Sequence, residues 1–196
     1  MKTGWIVLIV IVVFIAISVM SVIGKYNNMV TKSENVDAGW SQVENVYQRR
    51  ADLIPNLVNT VKGYASHEKE TLEGVINARA KATSTTINAG NMTPQAMQAF
   101  QANQAGLSGA LSKLMVVVER YPDLKANQSF LDLQAQLEGT ENRIAVERKR
   151  YNEAAQDYNA YIKKFPTVVI AGMMGFEKKL YFEADKGAEK APEVQF

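Results

Sequence analysis

From Val36 onward, apolar side chains return every seven residues, and this beat constrains the fold more than any other feature of the chain. One row is Val36, Val43, Leu57 and Tyr64, interrupted by Arg50; the other is Trp40, Tyr47, Ile54, Val61 and Val75, interrupted by Glu68. Interleaved at spacings of three and four, the rows draw one stripe down a helix. The stripe predicts a first helix of about 50 residues. "KATSTTINAGNMTPQ" (81–95) then reads as a loop, handing over at Thr93-Pro94, an N-cap followed by proline at the first helical position.

The second helix carries Phe100, Leu107, Leu114 and Tyr121 in one row and Met97, Leu111 and Val118 in the other, and ends at "RYPDLK". A third, from about Asp123 to Lys164, places Phe130, Leu137, Ile144, Tyr151, Tyr158 and Phe165 at intervals of seven, and Pro166 closes it. No strand pattern competes. The fold class predicted is all-α, an up-and-down antiparallel bundle of three long helices, with residues 168–176 as a short fourth that caps the core or meets a neighbouring subunit or the membrane surface. The expected domains are a membrane anchor over 1–25, the bundle over 26–176, and an extended, flexible tail over 177–196.

Residues 5–23, "WIVLIVIVVFIAISVMSVI", hold no charge. As a helix this run spans roughly 28–30 Å, the thickness of a bilayer's hydrocarbon core. Trp5 at one end and Lys25 with Tyr26 at the other suit interfacial anchors, with Phe14 mid-span. A cleaved signal peptide would carry a shorter apolar region and a small-residue cleavage site, so a retained transmembrane helix is expected, with the lipid bilayer as a partner. Only Gly24 interrupts the path from Ile23 to Val36, so the first helix is expected to run out of the membrane into the bundle.

Pro55, in "RRADLIPNLV", falls inside the stripe, where it costs a hydrogen bond from the carbonyl of Ala51 and roughly 3 kcal/mol. Asp52 could cap a fresh turn there. The stripe keeps its phase, however, which favours one continuous helix kinked at Pro55.

Chemistry is scarce. The chain lacks cysteine, which excludes thiolate metal sites, disulfides and a lipid-modified cysteine. The one histidine, His67, is followed by "EKE", and position 71 is Thr where a metalloprotease would need a second histidine. No glycine-rich phosphate loop or serine elbow is present. We therefore expect neither an enzyme nor a cofactor. With 22 basic against 20 acidic residues and a net charge of +2, no nucleic-acid partner is expected. Arg50 and Glu68 on the stripe should pair, snorkel, or mark where it leaves the core.

The stretch "YNNMVTKSENVDAGWSQVENVYQRRADLIPNLVNTVKGYASHEKETLEGVINARAKA" (26–82) and the ending "FPTVVIAGMMGFEKKLYFEADKGAEKAPEVQF" resemble the LemA family. The resemblance implies an N-terminal single-pass anchor, an up-and-down bundle of four helices, and a bacterial envelope protein whose role is poorly defined. An adaptor for an envelope protease or quality-control partner is the alternative this resemblance suggests. The main expectation is a self-assembling scaffold in the cytoplasmic (inner) membrane, its bundle on the cytoplasmic side by Lys25 and Lys32. Because the first helix is much longer than the second, its stripe from Val36 through Trp40 and Val43 to Tyr47 should lack an intrachain partner and form a homo-oligomer interface. Trp40→Ala or Val43→Asp should then shrink the assembly. Met173, Met174 and Phe176 are the second set of interface candidates.

Overall fold

The computed structural model describes residues 2–85, 87 and 92–183. Its regular elements are all helical: α1 (Lys2–Tyr64), α2 (Lys69–Ser84), α3 (Pro94–Val118), α4 (Pro122–Lys125), α5 (Gln128–Lys163) and α6 (Thr167–Met174). The all-α class stands. α1 runs unbroken for 63 residues, roughly 95 Å at 1.5 Å per residue. Gly24 does not interrupt it, so the apolar run and the bundle's central stripe lie on one helix.

A single helix reaching residue 82 does not form. The chain turns at 65–68, where the Ala65 N–H bonds the Val61 carbonyl at 2.8 Å and the Glu68 N–H bonds that of Ala65 at 3.1 Å. α2 then runs back along α1, making four principal helices rather than three. Leu72 and Val75 are buried like the stripe before them, since both helices face one core. The heptad rows therefore keep their phase through a reversal of direction. Glu68 marks the turn: its carboxylate accepts from Arg120 and from the Tyr121 hydroxyl, each at 3.0 Å.

α3 opens as its sequence predicts, the Thr93 hydroxyl accepting from the Ala96 N–H at 3.1 Å with Pro94 at the first position. α5 begins later than Asp123. Pro122–Lys125 closes a turn of its own, and Asn127 caps α5 by accepting from the Phe130 N–H at 3.0 Å.

α1 and α3 lead away from the anchor, and α2 and α5 return toward it. The pairs Lys32–Asp157 and Arg50–Glu141, with Gly39 facing the backbone of Tyr151, fix the α1–α5 register. The core has two parts. Nearer the anchor it is rich in aromatics, among them Trp40, Tyr47, Phe100, Tyr151, Tyr158 and Phe182. Farther out it is aliphatic, built on Ile54, Leu57, Val61, Leu107, Leu114 and Leu137. Tyr64, expected inside, is exposed, and its hydroxyl accepts from the Asn127 amide at 2.9 Å.

Candidate functional site

Two places in the bundle carry organised polar groups, and a third carries exposed apolar ones.

The first is Arg50, buried at the junction of the two core regions. Its guanidinium donates to Glu141 at 2.7 Å, to Ser108 at 3.0 Å, and to the Gln104 side-chain oxygen at 2.6 Å. Gln104 in turn donates to the Ala82 carbonyl at 3.3 Å. The charge that broke the heptad row is thus paired across α1, α3 and α5. Only its Nε lacks a hydrogen-bond partner among the described residues.

The second is the segment 177–183, which follows α6 and runs back up the bundle in extended form. Expected as part of a flexible tail, it is instead seated. Asn159 brackets Lys179, donating to its carbonyl and accepting from its N–H, both at 2.9 Å. Asn152, one heptad earlier on α5, holds Phe182 the same way at 3.1 and 2.9 Å. The two carboxamides act as a substitute strand edge for a lone extended chain. The Tyr158 hydroxyl donates to the Glu177 carbonyl at 2.9 Å and that of Tyr151 to the Leu180 carbonyl at 3.0 Å. Phe182 stacks on Trp40 with ring centroids 5.6 Å apart, and Lys179 pairs with Asp37 at 2.8 Å. Burial and the nearby Asp37 charge push the Tyr151 phenol up to about 12. Tyr158 is raised for the same reasons. The last ten residues, 187–196, lie outside the described residues.

The stripe expected to be an interface is therefore not open. Val36, Trp40, Val43 and Tyr47 are all buried inside the chain, covered by α3, α5 and the 177–183 segment. Trp40 touches Phe100, Tyr151 and Phe182 and donates its indole N–H to the Ile87 carbonyl at 3.2 Å. The premise of an unpartnered first helix fails because α5, with 36 residues, reaches as far toward the anchor as the stripe does. Substitutions there attack the core.

Pro55 sits within an unbroken α1, so the helix does not restart. Asp52 is exposed and accepts from the Gln48 amide at 2.8 Å rather than capping a turn. The carbonyl of Ala51, deprived of its helical donor by Pro55, accepts instead from the Arg79 Nε–H at 2.7 Å. Arg79 carried no signal in the sequence, because its partner is a backbone atom on another helix. Asn152 and Asn159 did carry one, a heptad-spaced pair of polar residues beside core tyrosines.

The third place is the anchor end. Trp5 and Phe14 are exposed along with every apolar residue of the 5–23 run. Among the described residues this is the one helix long and apolar enough to cross a membrane. Lys25 is half-buried, and the Tyr26 ring meets Phe176 edge-on at 5.7 Å. α6 turns Thr167 and Ala171 inward, and leaves Met173 and Met174 exposed, with Val168, Val169 and Phe165 beside them. His67 lies exposed in the α1–α2 turn. Among the described residues no three acidic or histidine side chains converge as metal ligands would.

Magnetosome protein MamQ 2 of Paramagnetospirillum magneticum is 30% identical over 200 residues, covering 90% of this chain and 73% of the relative. MamQ of Magnetospirillum gryphiswaldense is 30% identical over 202 residues, covering 91% and 74%. Protein LemA of Metamycoplasma hominis is 23% identical over 164 residues, covering 84% and 71%. Residues 39–196, the bundle from just before Trp40 to the end of the chain, match the LemA family, and the chain belongs to that family.

Proposed function

We propose that this protein is a single-pass scaffold of the bacterial cytoplasmic membrane, with its bundle on the cytoplasmic side. In this view it acts by lateral self-assembly and has no chemistry of its own. The observation that carries the proposal is the unbroken course of α1 from the apolar run into the core stripe. A helix fixed in the bilayer then sets the direction of a rod standing on it, and all copies point the same way. Confinement to one plane raises their effective concentration, so weak side-to-side contacts suffice. The buried polar groups around Arg50 and Asn159 are engaged with one another, as suits a structural body. Lys25 and Lys32 beside the span favour the cytoplasmic side.

Light scattering of the full chain in mild detergent, corrected for bound detergent, tests the self-assembly. A mass several times 21.7 kDa is expected. A monomer overturns self-assembly and assigns the scaffold to a different envelope protein. Sidedness is read from Val116→Cys, an exposed position on α3 in a chain without native cysteine. A membrane-impermeant maleimide should label it only after lysis; labelling in intact cells reverses the orientation.

A further inference from the structure

α6 presents an apolar face that nothing among the described residues covers. Phe165 is 84% exposed and Met173 78%, with Val169 and Met174 each more than half exposed between them. No charged residue occurs from Phe165 to Phe176. On a soluble bundle such a cluster would be a liability, and its position identifies what covers it.

Three lines fix that position. By the α1–α5 register, the last turn of α5 stands opposite Tyr26 and the residues just after it. α6 starts from that turn and ends at Phe176, whose ring meets Tyr26. The short helix therefore enters and leaves at the same height, and lies across the end of the bundle rather than along it. Tyr26 is three residues beyond Ile23, the last apolar residue of the span, a rise of about 4.5 Å. The headgroup region of a bilayer is about 5–7 Å deep on each side, so α6 lies at that depth if the 5–23 run fills the hydrocarbon core.

The rim is basic. Lys25 on α1 and Lys163 and Lys164 at the end of α5 flank the apolar face. Nearby Lys32 and Lys179 are instead neutralised by Asp157 and Asp37. An apolar face bordered by lysines, parallel to the bilayer surface, is the arrangement of an interfacial helix.

We propose that the outer face of α6, with Phe165, inserts into the headgroup and upper acyl region of the bilayer that the anchor spans, and that Lys25, Lys163 and Lys164 meet anionic lipid headgroups there. This rests on the membrane-anchor reading and goes beyond it. A second contact restrains the rotation of the rod about its own axis, which a single helix through the membrane leaves free.

The test uses the full chain in vesicles, with single nitroxide-labelled cysteines at Met173→Cys, Phe14→Cys and Val116→Cys. Collision rates with oxygen and with a water-soluble nickel chelate are compared. The Met173 label should show an oxygen-to-nickel ratio several-fold above the Val116 label and below the Phe14 label. A ratio equal to that at Val116 places the face in water and overturns the proposal. Suppression of both collision rates together shows a protein covering the face, and overturns it equally. Val169→Cys repeats the measurement on the same face should the Met173 label perturb the fold. A Phe14 label reading as water sinks the anchor itself, a distinct failure. Anionic phosphatidylglycerol should deepen the Met173 label relative to phosphatidylcholine alone, and Lys163→Glu with Lys164→Glu should abolish that difference. Absence of any lipid dependence removes the lysines from the contact.

Discussion

Arg79 donates its Nε–H to the carbonyl of Ala51 at 2.7 Å, the one carbonyl that Pro55 deprives of a helical partner. The proline's cost inside α1 is thereby partly offset from α2, and the α1–α2 hairpin gains a fixed register.

A coupled pair of substitutions reads this directly. Arg79→Met should destabilise the protein by about 1.5–3 kcal/mol, the range for a hydrogen bond from a charged donor. In a Pro55→Ala background, residue 55 supplies the missing N–H. The same Arg79→Met change should then cost less than about 1 kcal/mol. Urea unfolding of the four proteins gives the coupling, and equal costs in both backgrounds would show that Arg79 does not serve Pro55.

Arg50 and Gln104 form a buried pair in which removing one partner is worse than removing both. Gln104→Leu removes one acceptor from the guanidinium while Glu141 and Ser108 stay in place, and should cost about 1.5–3 kcal/mol. Arg50→Met with Gln104→Leu should recover most of that, because an apolar pair of similar volume fills the same space. Denaturant midpoints for the two variants make the comparison.

The 177–183 segment should come off its seat when its carboxamide clamps are lost. Asn159→Leu with Asn152→Leu removes four hydrogen bonds to its backbone. Tryptic cleavage after Lys178 and Lys179 should accelerate strongly, while helix content by circular dichroism stays close to that of the parent. Unchanged cleavage would mean that Phe182 alone holds the segment.

High pH should release the same segment. The Tyr151 phenol is raised from 10.0 to about 12 in the folded protein, so folding favours its neutral form. That contribution is whole below pH 10 and is lost as the pH climbs from 10 through about 12. Ionised, the hydroxyl can no longer donate to the Leu180 carbonyl. Trp40 fluorescence in a Trp5→Phe background reports the loss of Phe182 stacking, and a Tyr151→Phe variant should shift the transition.

Trp40→Ala should cost about 3–5 kcal/mol, as expected for a large buried aromatic, and lower the unfolding temperature before it alters native mass. A drop in assembly size at full stability would restore the stripe as an interface.

The amino-acid sequence by itself determined the helices, because their signals are local. Periodicity of seven, the Thr93-Pro94 opening, Pro122 and Pro166 as stops, and an uncharged run of membrane length each depend on residues within a few positions of one another. Only the tertiary structure decided what depends on distant backbone. The turn at 65–68 keeps the heptad phase and holds neither glycine nor proline, so one helix and a hairpin look alike until α2 is seen folded back. The partner of the Ala51 carbonyl comes from 28 residues away. The seat for residues 177–183 comes from two asparagines on α5. The stripe from Val36 to Tyr47, apolar in either case, is an interface or a core according to whether α5 and an extended segment near the C-terminus return to cover it. They do, because burying those aromatics inside the chain removes them from water without the entropic cost of recruiting a second molecule.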